Sequence, residues 1–505
     1  MNSIKHWLMP ALLLCLVATT TPVAAAEEAA DEAAPLPELI NAVSEGSVRI
    51  DGRTVEYTAT AGTLEMKDDD DKPIAHFGYT AYVRKGGDRT TRPILFAYNG
   101  GPGSASMWLH MGILGPQRTV VDDTKFTTKG PFRRVANEFS VLDKADLVMI
   151  DPVGTGLSRA VGEAKGEDFW GVDNDIKSVS NFIARYVSDN GRWQSPKYLL
   201  GESYGGIRSG GVAYTLLTSH SIALNGVILV SPYMDFIAGN AGIKNDLPYI
   251  NYFTTYAATA WYHNAIDNRP DDLQAFLAEA DRFAREEYAP LLLKGHRATA
   301  EERNAVLAGM ERFTGISADY WDRADLRIDE ARFARELLRD ERRTVGRIDS
   351  RFSGDAIALN KETFTYDPFF PAVGPAFLAT FNDYYREVLG VKTDRRYVSS
   401  AGLYTSWDQR HAQPGQHYKV PVANTAVDLA YAMTQNPHMR LLVQQGYYDL
   451  ATPYGATQYF LDHIDLTPAL RENITLELYE AGHMMYLHPE SLAKFRRDLA
   501  AFIDG

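Results

Sequence analysis

The sequence predicts an α/β fold with a mixed, mostly parallel central sheet that is interrupted by a long helical insertion. Short apolar segments alternate with helical segments in the first half of the chain, a pattern typical of parallel strands joined by helices. From residue 236 to about residue 420 the pattern is helical, and strand-like segments resume only at Arg440. We therefore expect both ends of the chain to contribute strands to one sheet.

The N-terminus resembles an export signal. Lys5 and His6 precede an apolar run from Leu8 to Val17, and a group of alanines then offers a small-residue cleavage site. We expect residues 1–26 to be a signal peptide and residues 27–47, rich in Ala, Glu and Pro, to be a poorly ordered lead-in. The expected location of the mature protein is the periplasm or the extracellular space.

Composition limits the classes of partner. The single cysteine, Cys15, lies within the leader, so the expected mature protein has neither a thiol nor a disulfide. No later segment has the ~20 apolar residues of a membrane span, so membrane insertion is not expected. The net charge of −14 argues against nucleic acid and anionic membranes, which bind basic surfaces. The 45% hydrophobic content can build a large core.

The first part of the predicted core covers residues 48–235. Val48 to Ala61 and His76 to Arg84 read as edge strands joined by a charged hairpin turn over Met66 to Pro73. A helix is predicted from Val172 to Ser188. The expected core strands of this part are short apolar runs: Ile94 to Tyr98, Asp146 to Ile150, Tyr198 to Leu200 and Gly226 to Val230.

The insertion, residues 236–420, is expected to cap the active site, supplying substrate pockets and excluding water. A helical side domain with a packing role alone is the alternative. Its predicted helices are Asp271 to Tyr288, Ala300 to Phe313 and Asp329 to Arg342. Five aromatic residues form a cluster near its start: Tyr252, Phe253, Tyr256, Trp261 and Tyr262. We expect this cluster to pack in the core, and the alternative is that some of its rings line an apolar substrate pocket. The core resumes over residues 421–505, with strands predicted at Arg440 to Gly446 and Ile474 to Tyr479.

Ser203 is the predicted nucleophile. The motif Gly-Glu-Ser-Tyr-Gly at residues 201–205 follows an apolar strand and opens a helix, so the serine lies at a sharp strand-to-helix turn. Glycines on both sides leave room for the strained turn and for an approaching carbonyl carbon. This arrangement indicates acyl transfer.

A glycine-rich loop after the strand Ile94 to Tyr98 is the predicted oxyanion hole. The tetrahedral intermediate of acyl transfer needs backbone N–H donors that come close to its oxygen, and glycines permit that approach. We expect the N–H groups of Gly101 and Tyr204 to supply them. The loop matches neither nucleotide-binding glycine pattern, so a phosphate site is not expected.

Asp449 and His483 complete the predicted catalytic triad. Each follows a predicted strand, and ligand-facing groups of a parallel sheet collect at the carboxyl ends of its strands. The acid follows the serine in the chain and the histidine follows the acid, which is the order expected for this type of strand-to-helix turn. The other candidates are expected to be surface residues, apart from His488, which could instead support the site: His438, His463, His488, Asp462 and Asp465.

Four motifs in order resemble the serine carboxypeptidase family, peptidase family S10: Asn-Gly-Gly-Pro-Gly-Ser at 99–104, Asp-Pro-Val-Gly-Thr-Gly-Leu-Ser at 151–158, Gly-Glu-Ser-Tyr-Gly-Gly at 201–206 and Gly-His-Met at 482–484. The resemblance implies an α/β-hydrolase fold and hydrolysis of the last peptide bond of a substrate. It also implies that Asn99 and Glu202 bind the substrate's free carboxylate. Glu202 must then be protonated, so we expect burial to raise its pKa and acidic pH to favour peptide binding.

The chain departs from the family pattern near this carboxylate site. Ala97 stands where typical members have tryptophan, and Ile113 where they have glutamate. In the family, both side chains belong to the hydrogen-bond network of the site, and this chain lacks both of them. Ser104 replaces a cysteine that typical eukaryotic members carry in the loop.

The predicted function is therefore that of an exported serine carboxypeptidase acting on peptides, as a monomer or a homodimer. The alternatives are an esterase or acyltransferase that uses the same triad and, from a different class, a non-catalytic peptide-binding protein. No cofactor is expected. No metal is expected either, because the sequence has no His-Glu-x-x-His motif.

Overall fold

A ten-stranded sheet forms the centre of the computed structural model, which describes residues 36–242 and 244–505. Its strands are β1 Asn41–Ile50, β2 Arg53–Lys67, β3 Pro73–Arg84, β4 Ile94–Tyr98, β7 Asp146–Asp151, β8 Arg159–Ala160, β9 Lys197–Glu202, β10 Gly226–Val230, β13 Arg440–Gly446 and β14 Ile474–Tyr479. Two separate two-stranded sheets pair β5 Gln117–Thr119 with β6 Arg134–Ala136, and β11 Arg343–Val345 with β12 Ser353–Asp355.

The strand order of the central sheet is β1-β2-β3-β7-β4-β9-β10-β13-β14, with β8 paired to β3. The six strands from β7 to β14 in this order run parallel, and the pairs among β1, β2, β3, β7 and β8 are antiparallel. This mixed, mostly parallel sheet confirms the predicted fold class. Strands β13 and β14 follow the insertion, so both ends of the chain contribute to the sheet.

Helices fill the connections between these strands. In chain order the α-helices are α1 Met107–Leu109, α2 Val172–Asp189, α3 Gly205–His220, α4 Phe236–Gly239, α5 Leu247–Tyr262, α6 Leu273–Phe283, α7 Ala289–Lys294, α8 Ala300–Thr314, α9 Ala318–Arg323, α10 Glu330–Glu336, α11 Phe369–Asp383, α12 Ala426–Gln435, α13 Tyr454–His463, α14 Pro468–Arg471 and α15 Pro489–Asp504. The predicted helix at Val172 is present with almost its predicted bounds.

Alternate residues of each core strand pack on opposite faces of the sheet. In β4, Leu95 and Ala97 join one hydrophobic cluster, whereas Ile94, Phe96 and Tyr98 join another on the opposite face. All five residues are buried, because a parallel sheet is covered on both faces. A third cluster consists mainly of insertion residues, so the insertion has a hydrophobic core of its own.

The N-terminal strands differ from the prediction. Strand β1 begins at Asn41, so the predicted poorly ordered lead-in is wrong for residues 41–47. The single strand predicted from Val48 to Ala61 is wrong as well, because Asp51 and Gly52, with φ of 47° and 77°, form a tight turn between two strands. Asp-Gly suits such a turn because both residues tolerate positive φ. The hairpin between Met66 and Pro73 is present, but of the strands β1, β2 and β3 only β1 lies at an edge of the sheet.

The predicted signal peptide, Cys15 and residues 27–35 of the lead-in lie outside the described residues. Within the part of the chain that is described, no helix combines the length and the apolar character that crossing a membrane requires.

Candidate active site

Ser203 lies at the turn between β9 and α3, as the sequence predicts. Its φ of 63° is in the left-handed region, which is a strained conformation for a residue with a side chain. Backbone hydrogen bonds hold the turn, since the Ser203 N–H donates to Val230 (3.0 Å) and the Ser203 carbonyl accepts from Gly206 (2.8 Å). At Gly201, an added Cβ would lie 2.3 Å from the Gly205 carbonyl oxygen, so this position requires glycine.

The glycine loop packs directly against this turn. An added Cβ on Gly100 would lie 2.5 Å from the Tyr204 nitrogen and 2.6 Å from the Glu202 carbonyl oxygen. Gly101, with φ of 105°, adopts a conformation that favours glycine. Among the described residues, the N–H groups of Gly101 and Tyr204 donate to no backbone carbonyl, and both residues line the cavity that contains Ser203. Both predicted donors are therefore free to bind an oxyanion.

Asp449 and His483 are in direct contact beyond the ends of β13 and β14. The Nδ1 of His483 lies 2.8 Å from Oδ2 of Asp449, and both side chains are buried. The other carboxylate oxygen accepts the N–H groups of Ala451 (2.8 Å) and Thr452 (2.9 Å). The Thr452 hydroxyl donates to Oδ2 of Asp449 at 2.6 Å. These contacts orient the carboxylate and, through it, the imidazole ring.

The orientation leaves Nε2 of His483 as the nitrogen that can act on the serine. Ser203 and His483 line the same cavity. No hydrogen bond joins their side chains among the described residues. Catalytic hydrogen bonds are often long in a free enzyme and shorten when substrate binds, so this geometry is compatible with a serine–histidine pair.

A segment of the insertion holds the loops of the acid and the histidine together. The Ile348 carbonyl accepts the His483 N–H (2.8 Å), and the Ser350 N–H donates to the Tyr448 carbonyl (2.9 Å), next to Asp449. On the other side, the Ser231 hydroxyl donates to the His483 carbonyl (2.8 Å). The insertion thus helps to position the catalytic loops as well as covering them.

The predicted carboxylate-binding residues are hydrogen-bonded to each other beside Ser203. Nδ2 of Asn99 donates to Oε1 of Glu202 at 2.7 Å. The Asn99 side-chain oxygen accepts the Leu109 N–H (3.0 Å), and its backbone carbonyl accepts from Arg208 (2.8 Å). The hydroxyl of Tyr486 donates to Oε2 of Glu202 at 2.8 Å. Each Glu202 oxygen therefore has one donor within the site.

Burial controls the protonation of this site. It raises the pKa of Glu202 to about 7, although hydrogen bonds from Tyr486 and Asn99 and the nearby His483 act in the opposite direction. This direction agrees with the expectation from the sequence. Burial alone would lower the pKa of His483, but the Asp449 carboxylate, assisted by Glu202, raises it above its ordinary value.

Tyr486 occupies the region where the chain departs from the family pattern. Ala97 and Ile113 are both buried among apolar side chains and have no polar group to offer Glu202. The ring of Tyr486 lies against Gly112, where an added Cβ would come within 2.3 Å of the ring. A tyrosine hydroxyl thus reaches Glu202 through space that a larger residue at position 112 would fill.

The active-site cavity has a volume of about 980 Å³ and contains all the predicted site residues except Asp449. One wall is formed by the glycine loop and the elbow, and another by the insertion, which contributes Tyr252, Glu330, Arg347 and Phe370. Of the five predicted aromatic-cluster residues only Tyr252 lines it, whereas Phe253 and Tyr256 are buried in the core of the insertion.

The other histidines and acids lie away from this arrangement. As expected, the surface candidates are exposed: His438, His463, Asp462 and Asp465. His488 contacts Ser491 instead (2.8 Å). The sequence did not indicate three residues of this site: Thr452, Tyr486 and Arg347. Only Tyr486 stands beside a motif, three residues after His483.

Among residues 36–242 and 244–505, no group of three or more His, Cys, Asp or Glu side chains is arranged to hold a metal ion.

Comparisons with known proteins agree with this site. The family model of the serine carboxypeptidases matches residues 51–347, more than half of the chain. Serine carboxypeptidase-like 36 of Arabidopsis thaliana is 28% identical over 219 residues, which is 42% of this chain and 40% of that protein. The pheromone-processing carboxypeptidase KEX1 of Lachancea thermotolerans is 26% identical over 214 residues, 40% of this chain and 26% of that protein. The matched segments thus span less than half of either relative.

The fold has a counterpart among solved structures. A prohormone-processing carboxypeptidase from Saccharomyces cerevisiae, KEX1(Δ)p, superposes with a TM-score of 0.53, covering 88% of this chain and 91% of that one. The sequence identity is 14%, so this likeness shows a common fold, that of the α/β-hydrolases.

Proposed function

The chain belongs to the serine carboxypeptidase family, and on this premise we propose that it removes C-terminal residues from peptides through an acyl-enzyme on Ser203. One observation carries the proposal. A buried glutamate, Glu202, whose pKa is about 7, is hydrogen-bonded to Asn99 and lies next to Ser203 in one cavity. A protonated carboxyl beside a nucleophile can receive the free carboxylate of a peptide, which an ester or an internal peptide bond lacks.

The chemistry follows from the contacts of the triad. Ser203 Oγ attacks the carbonyl carbon of the last peptide bond while Nε2 of His483 takes the hydroxyl proton. Asp449 holds the imidazole in the tautomer with Nδ1 protonated and stabilises the imidazolium. The N–H groups of Gly101 and Tyr204 bind the oxyanion. His483 then gives its proton to the leaving amine, and a water molecule hydrolyses the acyl-enzyme by the same steps.

Recognition of the C-terminus requires a donor in place of a negative charge. An ionised Glu202 would repel the substrate carboxylate, whereas a protonated one donates a hydrogen bond to it and shares its proton between two carboxyl groups. Asn99 can donate to the same carboxylate. Tyr486 and Asn99 each donate to one oxygen of Glu202 and hold the carboxyl in place beside Ser203.

The productive enzyme therefore carries a neutral His483 and a protonated Glu202 at the same time. A second state of the enzyme has the same number of protons, with His483 protonated and Glu202 ionised. The two states compete because the charges of His483 and Glu202 interact. Binding of the substrate carboxylate favours the productive arrangement. We propose that peptide hydrolysis is favoured at acidic to neutral pH and weakens as the pH rises above the pKa of Glu202.

A second candidate is an esterase or acyltransferase. It is favoured by Ala97 and Ile113, which remove two polar groups that the family resemblance assigns to the carboxylate network. The same elbow and oxyanion hole would serve any acyl group. A non-catalytic peptide-binding protein is a third candidate, and covalent labelling of Ser203 by a fluorophosphonate would exclude it.

A peptide ladder tests the proposed function. The wild-type protein and the Ser203→Ala variant are incubated at pH 6 with an N-acetylated decapeptide, and the products are followed by mass spectrometry. Stepwise loss of single residues from the C-terminus by the wild type alone supports a carboxypeptidase. An intact decapeptide alongside hydrolysis of a simple ester would move the protein to the esterase group, and internal cleavage would contradict an exopeptidase.

We also propose that the protein is exported. The support is the basic, apolar and small-residue pattern of residues 1–26. Mass spectrometry of the protein purified from the periplasmic or secreted fraction tests this. A mature N-terminus close to Glu27 supports export, and a full-length chain retained in the cytoplasm contradicts it.

A further inference from the structure

Arg347 is a cationic side chain in the wall of the active-site cavity. It follows strand β11 in the insertion and lines the same cavity as Ser203 and His483. Its backbone position is fixed, because the next residue, Ile348, accepts the His483 N–H at 2.8 Å. The guanidinium is therefore held near the reacting groups by the same segment that holds the catalytic histidine.

The guanidinium has no hydrogen-bonded partner among the described residues. Its nearest opposite charge is Glu330, whose Oε1 lies 4.0 Å from the Arg347 Nε, the outer limit of an ion pair. By contrast, the buried Arg208 contacts Asp175 at 2.8 Å. The side chain of Arg347 is 38% exposed, and as a cavity-lining residue it presents part of that surface to the cavity.

Burial alone would lower the pKa of Arg347, but the acidic groups around it raise that pKa and keep the guanidinium charged, although none of the described ones forms a hydrogen bond with the guanidinium. Asp449 is engaged with His483, and Asp367 accepts the N–H groups of Ile348 (3.1 Å) and Phe369 (3.0 Å). Tyr233, Tyr252 and His483 are further titratable groups near Arg347, and none of them supplies a negative charge at neutral pH. Two acids of the same cavity remain. Asp329 accepts the Arg332 N–H (2.9 Å) at the start of helix α10, and burial raises the pKa of Glu330, which weakens it as a partner.

We propose that Arg347 binds the side-chain carboxylate of an acidic residue next to the scissile bond, so that the enzyme prefers peptides with Asp or Glu at that position. The proposal rests on the proposed carboxypeptidase function. A guanidinium presents several N–H donors in a planar fork that matches a carboxylate, and charge-assisted hydrogen bonds of this kind are strong. An uncharged Gln side chain of the same shape cannot replace the ion pair.

Glu330 has a defined place in this proposal. In the free enzyme it gives Arg347 a weak partner across 4.0 Å, and it also repels an incoming acidic side chain. Its removal should therefore strengthen the preference for acidic substrates. If Arg347 served only to balance Glu330, the wild type would show no preference for acidic substrates, and one would appear only in Glu330→Gln.

Matched peptide pairs test the proposal. One pair of N-blocked dipeptides carries Glu or Gln before the scissile bond, and a second pair carries Glu or Gln as the last residue. The ratio of kcat/KM for Glu over Gln is measured at pH 6, where a substrate glutamate is ionised and Glu202 is mostly protonated. The proteins compared are the wild type and the variants Arg347→Gln, Arg347→Lys and Glu330→Gln. The matched control is Arg282→Gln, which removes an exposed arginine of helix α6.

We expect a wild-type ratio of about 10 or more at one of the two positions, the size of a charged hydrogen bond. The ratio should fall to about 1 or below in Arg347→Gln, be partly kept in Arg347→Lys, rise in Glu330→Gln and stay unchanged in Arg282→Gln. A wild-type ratio near 1 at both positions, or a ratio that survives in Arg347→Gln, overturns the proposal. If the wild type cleaves none of the four peptides, the proposed function itself fails and this inference fails with it.

Discussion

Glu202→Gln separates recognition of the substrate carboxylate from the chemistry of the triad. Gln has the shape of a protonated glutamate, can donate a hydrogen bond and does not ionise. Asn99 and Tyr486 can still contact it, as they contact Glu202 at 2.7 and 2.8 Å. The variant therefore removes the titration of position 202 and keeps a donor there.

The size of the effect follows from the pKa of Glu202, which is about 7. The protonated fraction is then about 90% at pH 6 and about 9% at pH 8. If only the protonated form binds a free C-terminus, the wild-type kcat/KM for a free-acid dipeptide, divided by that for its methyl ester to remove the shared titration of His483, falls about tenfold over this range. The variant should show no such fall, because its donor is present at every pH.

The assay is the pH profile of kcat/KM from pH 5 to pH 9 for an N-blocked dipeptide and for its C-terminal methyl ester. The ester needs no carboxylate site, so its profile reports the deprotonation of His483 and rises with pH. Glu330→Gln, which changes a half-buried carboxyl of the same cavity, should keep the alkaline fall of the ratio between free acid and ester. A wild-type ratio of free acid to ester that stays flat between pH 6 and pH 8, or an equal fall of this ratio in Glu202→Gln, would refute the reasoning.

Three further predictions concern the triad, the glycine loop and a buried histidine. Asp449→Asn should lower kcat by about 10⁴-fold with little change in KM in steady-state kinetics, because an amide holds the imidazole in the wrong tautomer; a loss below tenfold would contradict the role of Asp449. Gly100→Ala should lower kcat/KM at least 100-fold, because its Cβ would lie 2.5 Å from the Tyr204 nitrogen, and retained activity would show that the loop can move. His411→Gln should remove a pH dependence of thermal stability. Burial lowers the pKa of His411, but hydrogen bonds to Asp173 and Asp428 raise it to about 9. The stabilisation, on the order of 1–3 kcal/mol, is full below the unfolded pKa of about 6.5 and is lost as the pH rises through about 9. The melting temperature of the wild type should therefore fall more between pH 7 and pH 10 than that of the variant, and equal falls would contradict this account.

The core of the fold could be predicted because each core strand is a short apolar run with a distinct end. Strands β4 and β10 have the predicted bounds, and the catalytic candidates follow strand ends as the topology of a parallel sheet requires. The hairpin at Asp51 and Gly52 was missed, although Asp-Gly is a strong turn signal. Alternating residues continue on both sides of the turn and conceal it.

The walls of the site could not be predicted in the same way. Tyr486 reaches Glu202 only because Gly112 leaves room for its ring, a relation between residues that are distant in sequence. Arg347 reaches the cavity because a long helical insertion folds back onto the catalytic loops. Such contacts depend on tertiary packing, which hydrophobic periodicity and local motifs do not encode.

The measurement that tests the central claim most directly compares an N-blocked dipeptide with its C-terminal amide at pH 6, for the wild type and Ser203→Ala. The two substrates share the scissile bond and differ only in the terminal carboxylate. Ser203-dependent release of the last residue from the free acid, at a kcat/KM at least tenfold above that for the amide, is the predicted result. Equal cleavage of the two, or cleavage that persists in Ser203→Ala, would contradict a serine carboxypeptidase that recognises its substrate through Asn99 and Glu202.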